Sequence, residues 1–68
     1  MSKIKVIING KDIELENVST VEEMVKARNI TGMFVIEKNM QIVQKEKYAE
    51  TTVAENDSFE ILGFFGGG

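Results

Sequence analysis

Few residues in this chain could do chemistry. Three glycines, Gly66, Gly67 and Gly68, close the sequence; Glu14 and Glu16, then Glu22 and Glu23, bring carboxylates close together; and Lys45, Lys47 and Tyr48 gather around Glu46. Cysteine and histidine are both missing. Thiolate and imidazole zinc sites, Ser-His and Cys-His nucleophile pairs and an imidazole general base are therefore excluded.

The carboxylates do not make an active site. An acid/base pair needs two carboxyl groups held in opposed environments within a cleft, whereas Asp12, Glu14 and Glu16 alternate with Ile13 and Leu15 in the manner of a solvated strand face. Glu22 and Glu23 belong to a helix start. A divalent-ion loop would need a dense Asp/Asn/Gly run, which does not occur, so no metal is expected. Lys45 and Lys47 lack the Gly-rich loop of a phosphate site. They read as surface charge suited to an ionic contact with a protein partner, with Tyr48 a packing residue whose hydroxyl finds a partner at the rim.

The tail leaves two readings open. Glycines cost the most backbone entropy to order and pack nothing, so three of them suit a frayed end. They equally suit an end that threads a narrow channel in another protein, where any Cβ would meet the walls. Four extended residues reach at most ~13–14 Å, enough to present a terminal carboxylate in a partner's active site while the fold stays outside. That carboxylate is ionised at neutral pH and can attack an activated phosphate.

The elements that must position this tail follow from hydropathy. Ile4, Val6 and Ile8 share one parity and end at Asn9-Gly10, which suits the two left-handed positions of a type I′ hairpin, so strand one runs about Lys3–Ile8. Ile13 and Leu15 continue antiparallel, with their acidic neighbours facing water. Thr20 and Glu23 form a capping box. Val21, Met24 and Val25 make one apolar face of a helix of about two turns, with Asn29 or Gly32 as its left-handed exit. The continuous apolar run 33–36 predicts a strand, Glu37-Lys38-Asn39 a turn, and Ile42-Val43 a short second strand. Residues 45–52 are irregular, with Tyr48 and Val53 anchoring them over a core edge, and Glu55-Asn56-Asp57 turns. In the last strand Phe59, Ile61 and Phe65 share one parity and Glu60, Leu62 and Phe64 the other. Phe59 and Ile61, with the stripes of strand one and the helix, should meet in one core on a single sheet face.

The second set gives an expected partner interface beside the tail: Leu62 and Phe64 exposed at its centre, Phe65 as the last residue before the glycines, and Glu60 and Lys45 as rim charges.

Sixty-eight residues with 43% hydrophobic and 28% charged content specify one small globular domain, expected over 1–65 with a flexible tail at 66–68. A net charge of -3 argues against nucleic acid. No segment has the length of a signal peptide or a membrane span, so a cytoplasmic chain off the membrane is expected, and a monomer on its own.

The stretches Asn39-Met40-Gln41-Ile42-Val43, Lys45-Glu46-Lys47-Tyr48, Asn56-Asp57 and Glu60-Ile61, with the closing glycines, resemble the ThiS family of sulfur carriers in thiamine biosynthesis. The resemblance covers roughly 34–68; before that it rests on element order and the Asn9-Gly10 hairpin. Departures are Gln44 and Lys45 where the family often has Pro and Arg, and Asn56 where it has Gly.

The resemblance implies an α+β fold, a β-grasp (ubiquitin-like) mixed sheet with one packed helix. It also implies a protein co-substrate in place of an enzyme. A partner adenylyltransferase related to ubiquitin-activating enzymes would couple Gly68 to AMP using ATP and Mg; a cysteine desulfurase route would supply sulfur; and thiazole synthase would use the resulting thiocarboxylate. Gly66 and Gly67 would thread the channel, and the domain would bind no cofactor of its own. Two alternatives stand beside this: a related β-grasp carrier for molybdopterin, tRNA thiolation or cysteine synthesis, and a β-grasp binding module whose tail is incidental.

Overall fold

The computed structural model describes residues 2–63. The expectations placed on Phe64, Phe65, Gly66, Gly67 and Gly68 lie outside the described residues. Strand β1 (Lys3–Ile8) turns into β2 (Lys11–Glu16), and helix α1 (Val21–Ala27) follows. Then come β3 (Phe34–Lys38), β4 (Gln41–Val43), a single 3₁₀ turn (Lys45–Lys47) and β5 (Ser58–Gly63). The sheet order is β2-β1-β5-β3-β4, so the last strand lies at the centre, parallel to β1 and antiparallel to β3.

The first hairpin forms as its sequence requires, with Asn9 and Gly10 both left-handed at φ 50° and 82°. The helix start is stabilised from two sources. Thr20 Oγ1 accepts from the Glu23 amide at 3.2 Å, and Glu23 Oε1 accepts from the Ser19 amide at 2.7 Å. Glu23 thus reaches one residue further back than in a regular capping box. The Val21 and Glu22 amides instead donate to the Thr51 and Tyr48 carbonyls. Residues 48–53, irregular in sequence, therefore serve as a backbone cap for the helix.

Asn29 is the residue that ends α1. Its φ is 56°, its amide donates to the Lys26 carbonyl, and the Ile30 amide donates back to Val25, the paired bonds of a Schellman exit.

Two expected boundaries need correction. β3 begins at Phe34 and continues through Glu37 and Lys38, which the sequence suggests as a turn. The turn is Asn39-Met40, both at positive φ (48° and 73°). Charged residues extend this strand because each has a register partner: Glu37 stands between Glu60 and Ile42, and Lys38 between Phe59 and Gln41. The Lys38 ammonium also donates to the Thr52 carbonyl at 2.7 Å and lies 3.7 Å from Asp57.

One core forms on one sheet face, as expected. Val6, Val21, Met24, Ile36 and Phe59 are fully enclosed, and Ile8, Leu15 and Ile61 join them. Ile4 and Val25 are partly buried against this cluster. Val18 and Val53, from the connections, complete it. Deleting one large core side chain costs ~2–5 kcal/mol, a large share of the stability of so small a domain.

Candidate partner interface at the open sheet face

A sheet covered by a helix on one face must expose the other, and here that open face is divided in two. Across β1 and β2 it is charged in alternation, with Lys3 opposite Glu16 and Lys5 opposite Glu14. Across β5, β3 and β4 it carries an apolar patch beside two acids. Leu62 stands opposite Val35, and Ile42 lies on the next strand; they are 52%, 46% and 64% exposed. All three have the parity opposite to the buried Ile36 and Ile61. Exposed aliphatic side chains scattered singly mean little, whereas a contiguous set at the end of the central strand is the kind of surface that suits association.

Two acids border this patch. Glu60 and Glu37 face each other across the antiparallel β5–β3 pair. Neither makes an ion pair among the described residues. Like charges placed directly opposite destabilise a sheet, so the pair is a local cost that the fold tolerates.

At the other side of the patch, an open concavity of about 520 Å³ is lined by Met33, Val35, Ile42, Lys45, Tyr48 and Leu62, with Gly63 on its wall. Tyr48 stacks on Phe34, ring centroids 6.4 Å apart at 12°. Burial raises the pKa of the Tyr48 phenol.

Of the residues assigned to an interface from the sequence, Leu62 is exposed at the centre of the patch, Glu60 is exposed on the same face, and Lys45 is exposed and shares the concavity with Leu62. Phe64, Phe65 and the three glycines lie outside the described residues. The carboxylates Glu14, Glu16, Glu22 and Glu23 are all exposed. Among the described residues no cluster of three potential ligands could hold a metal ion, and no helix is long and apolar enough to cross a membrane.

Sequence reasoning missed Val35, Glu37 and Ile42 as parts of this face, and Gly63 as part of the wall of its concavity. In the continuous run 33–36 both strand faces are apolar, which hides the outward parity of Val35. Gly63 carried a signal, since a glycine within a strand marks a close backbone approach. It has φ 132°, and a Cβ there would overlap the Met33 carbonyl and lie 2.8 Å from Phe34 Cα.

Comparison with known proteins places these features in context. A model of the ThiS family matches residues 6–68. The sulfur carrier protein ThiS of Bacillus subtilis is 33% identical over 63 residues, covering 90% of this chain and 96% of that protein. A thiazole synthase of Paramagnetospirillum magneticum is 35% identical over 66 residues, 96% of this chain. The chain spans only 20% of the length of that synthase. The crystal structure of the thiamine biosynthesis protein ThiS from Geobacter metallireducens superposes with a TM-score of 0.81 at 28% identity, covering 96% of this chain and all of that one.

Proposed function

This chain belongs to the ThiS family, and on that premise we propose that it is a sulfur carrier for thiazole formation in thiamine biosynthesis, with the carboxylate of Gly68 as the group that carries. The observation that bears most weight is the position of β5. The strand leading to the closing glycines is the central one, and Leu62, near its outgoing end, lies within the apolar patch of the open face. A partner that docks on Leu62, Val35 and Ile42 is thereby brought beside Gly63, which the closing glycines follow within five residues of sequence.

Two steps load the carrier. The Gly68 carboxylate attacks the α-phosphorus of ATP held with Mg by an adenylyltransferase of the ubiquitin-activating class; a P–O bond forms, the bond to the β-phosphate oxygen breaks, and pyrophosphate leaves. Hydrosulfide then attacks the acyl carbon, AMP departs, and a thiocarboxylate and one proton result. Neither step changes an oxidation state. Where the sulfur comes as the outer atom of a cysteine desulfurase persulfide, its release at the sulfide level takes two electrons from a thiol. The chain supplies no catalytic group to either step, so it is a co-substrate.

Thiazole synthase is the proposed consumer. In the Paramagnetospirillum relative, a stretch similar to this domain occupies a fifth of a chain named thiazole synthase. Two linked modules meet at high effective concentration, which favours joining a carrier to the enzyme it serves.

The reading is tested by intact mass after incubation with such an adenylyltransferase, ATP, Mg and sulfide. The expected product is heavier by the difference between one sulfur and one oxygen. An unchanged mass with no pyrophosphate released refutes the reading. A loaded carrier that thiazole synthase does not accept assigns the chain to a different sulfur pathway.

A further inference from the structure

The outgoing strand β5 is held differently on its two flanks. On the β3 side every residue from Phe59 to Gly63 has a partner in register. On the β1 side the parallel ladder stops with Ile8 opposite Phe59, because the chain turns away at Asn9 and Gly10. The side chain of Asn9 continues the pairing where the backbone cannot. Its Oδ1 accepts from the Ile61 amide at 2.7 Å, and its Nδ2 donates to the Ile61 carbonyl at 3.2 Å. The Asn9 amide itself donates to the Phe59 carbonyl at 2.9 Å. A side-chain amide offers one acceptor edge and one donor edge, so Asn9 gives Ile61 the two bonds that another strand residue would have given.

The turn alone does not account for this asparagine. Glycine satisfies a left-handed turn position at least as well. Asn39 offers an internal comparison: it occupies the same position of the second hairpin, at φ 48° against 50° for Asn9. It holds β5 from the opposite flank, donating its amide to the Ser58 carbonyl at 2.7 Å and accepting from the Ser58 amide on Oδ1 at 2.9 Å. Asn39 thus grips the start of β5, and Asn9 its outgoing half, two residues before Gly63.

We propose that Asn9 is a positioning residue for the donated end of the chain, acting through its paired hydrogen bonds to Ile61; the inference rests on the sulfur-carrier reading above. With both flanks of Ile61 held, β5 is fixed from both sides two residues before Gly63. Without the amide, the last residues of β5 lose their hold on the β1 side, and a partner must order them as it binds. The cost falls on binding, because the end, once seated, is the same carboxylate in the same place.

The test compares the parent, Asn9→Gly and Asn39→Gly by ATP–pyrophosphate exchange with an adenylyltransferase of the ubiquitin-activating class from the same genome. It is run at a temperature where circular dichroism shows all three folded. Both variants keep a residue suited to the left-handed turn and lose hydrogen bonds to β5. Asn9→Gly is expected to raise the KM for the carrier by about 3- to 10-fold with kcat within about twofold of the parent, the size expected when one or two residues must be ordered on binding. Asn39→Gly is expected to keep the parental KM. Amide exchange at Ile61 should quicken at least about tenfold in Asn9→Gly only, the effect of losing its acceptor. Should Asn9→Gly fail to fold, Asn9→Asp serves in its place, since it keeps the acceptor for the Ile61 amide and loses the donor; a KM between parent and the expected range supports the inference. A parental KM in the Asn9 variant, or an equal rise in Asn39→Gly, overturns it. A parent that supports no exchange removes the carrier reading and this inference together, whereas a reactive parent with an indifferent Asn9 variant removes the inference alone.

Discussion

Gly63 lies so close to the turn of chain entering β3 that a Cβ on it would overlap the Met33 carbonyl. Its φ of 132° disfavours any side chain independently of that contact. Gly10 has a comparable backbone demand, with φ 82°, but a Cβ added there would meet nothing within 4 Å. Gly10→Ala should therefore cost about 1–2 kcal/mol from backbone strain alone, and Gly63→Ala more than that. In a domain of this size each kcal/mol moves Tm by about 4–8 °C. Thermal melts of the two variants separate the effects; equal losses would mean that the Met33 contact relaxes without cost.

The facing acids Glu37 and Glu60, beside the exposed Leu62, should affect stability and association in opposite directions. Glu60→Gln relieves a like-charge pair and should stabilise the domain by about 0.2–1 kcal/mol, while slowing encounter with a partner of complementary charge. Leu62→Asp should leave Tm within a few degrees of the parent but weaken adenylyltransferase binding by about tenfold or more, as expected for a side chain at the centre of an interface. Surface plasmon resonance reads both. A slower association for Glu14→Gln, on the charged half of the face, equal to that for Glu60→Gln would show that net charge alone is at work.

Deleting Gly68 leaves a chemically similar carboxylate set back by ~3.5 Å. An attacking group needs approach to about 3–3.5 Å, so adenylation should fall by orders of magnitude. Gly67→Val keeps length and carboxylate but adds branched bulk, and should fail in pyrophosphate exchange while melting like the parent. Near-parental exchange by both variants would make the tail incidental.

Burial raises the phenol pKa of Tyr48 above the ordinary value of 10.0. The folded state then holds the phenolic proton more tightly than the unfolded chain, so this contribution to stability is complete below the unfolded pKa. It is lost as pH rises through that value toward the folded one. Tyr48→Phe retains the stacking on Phe34 and removes the titration. In urea melts from roughly pH 8 to 11, the stability advantage of the parent over Tyr48→Phe should shrink as pH rises. Lysine titration is common to both proteins and cancels; parallel curves would show that the phenol is as well solvated folded as unfolded.

Local chemistry in the sequence determined a good part of this protein. Asn9-Gly10 specified its hairpin because few residues accept two consecutive left-handed positions; Thr20 and Glu23 specified the helix start; and the parities of β1 and β5 specified which side chains are buried. The same parity placed Leu62 outside, and the family resemblance carried by residues 34–68 led to the ThiS family that the comparisons show. Other features had no local signal. Glu37 and Lys38 read as a turn because charge suggests exposure, and only their register opposite β5 and β4 makes them strand. The helix-capping role of residues 48–53 depends on carbonyls brought to α1 from more than twenty residues away. The apolar patch on the open face arises because β5, last in sequence, inserts between β1 and β3, so that Leu62 meets Val35 and Asn9 meets Ile61. Hydropathy assigns each strand a buried and an exposed face, but it carries no information about which strand lies beside which. That was decided by the packing of one helix across one sheet.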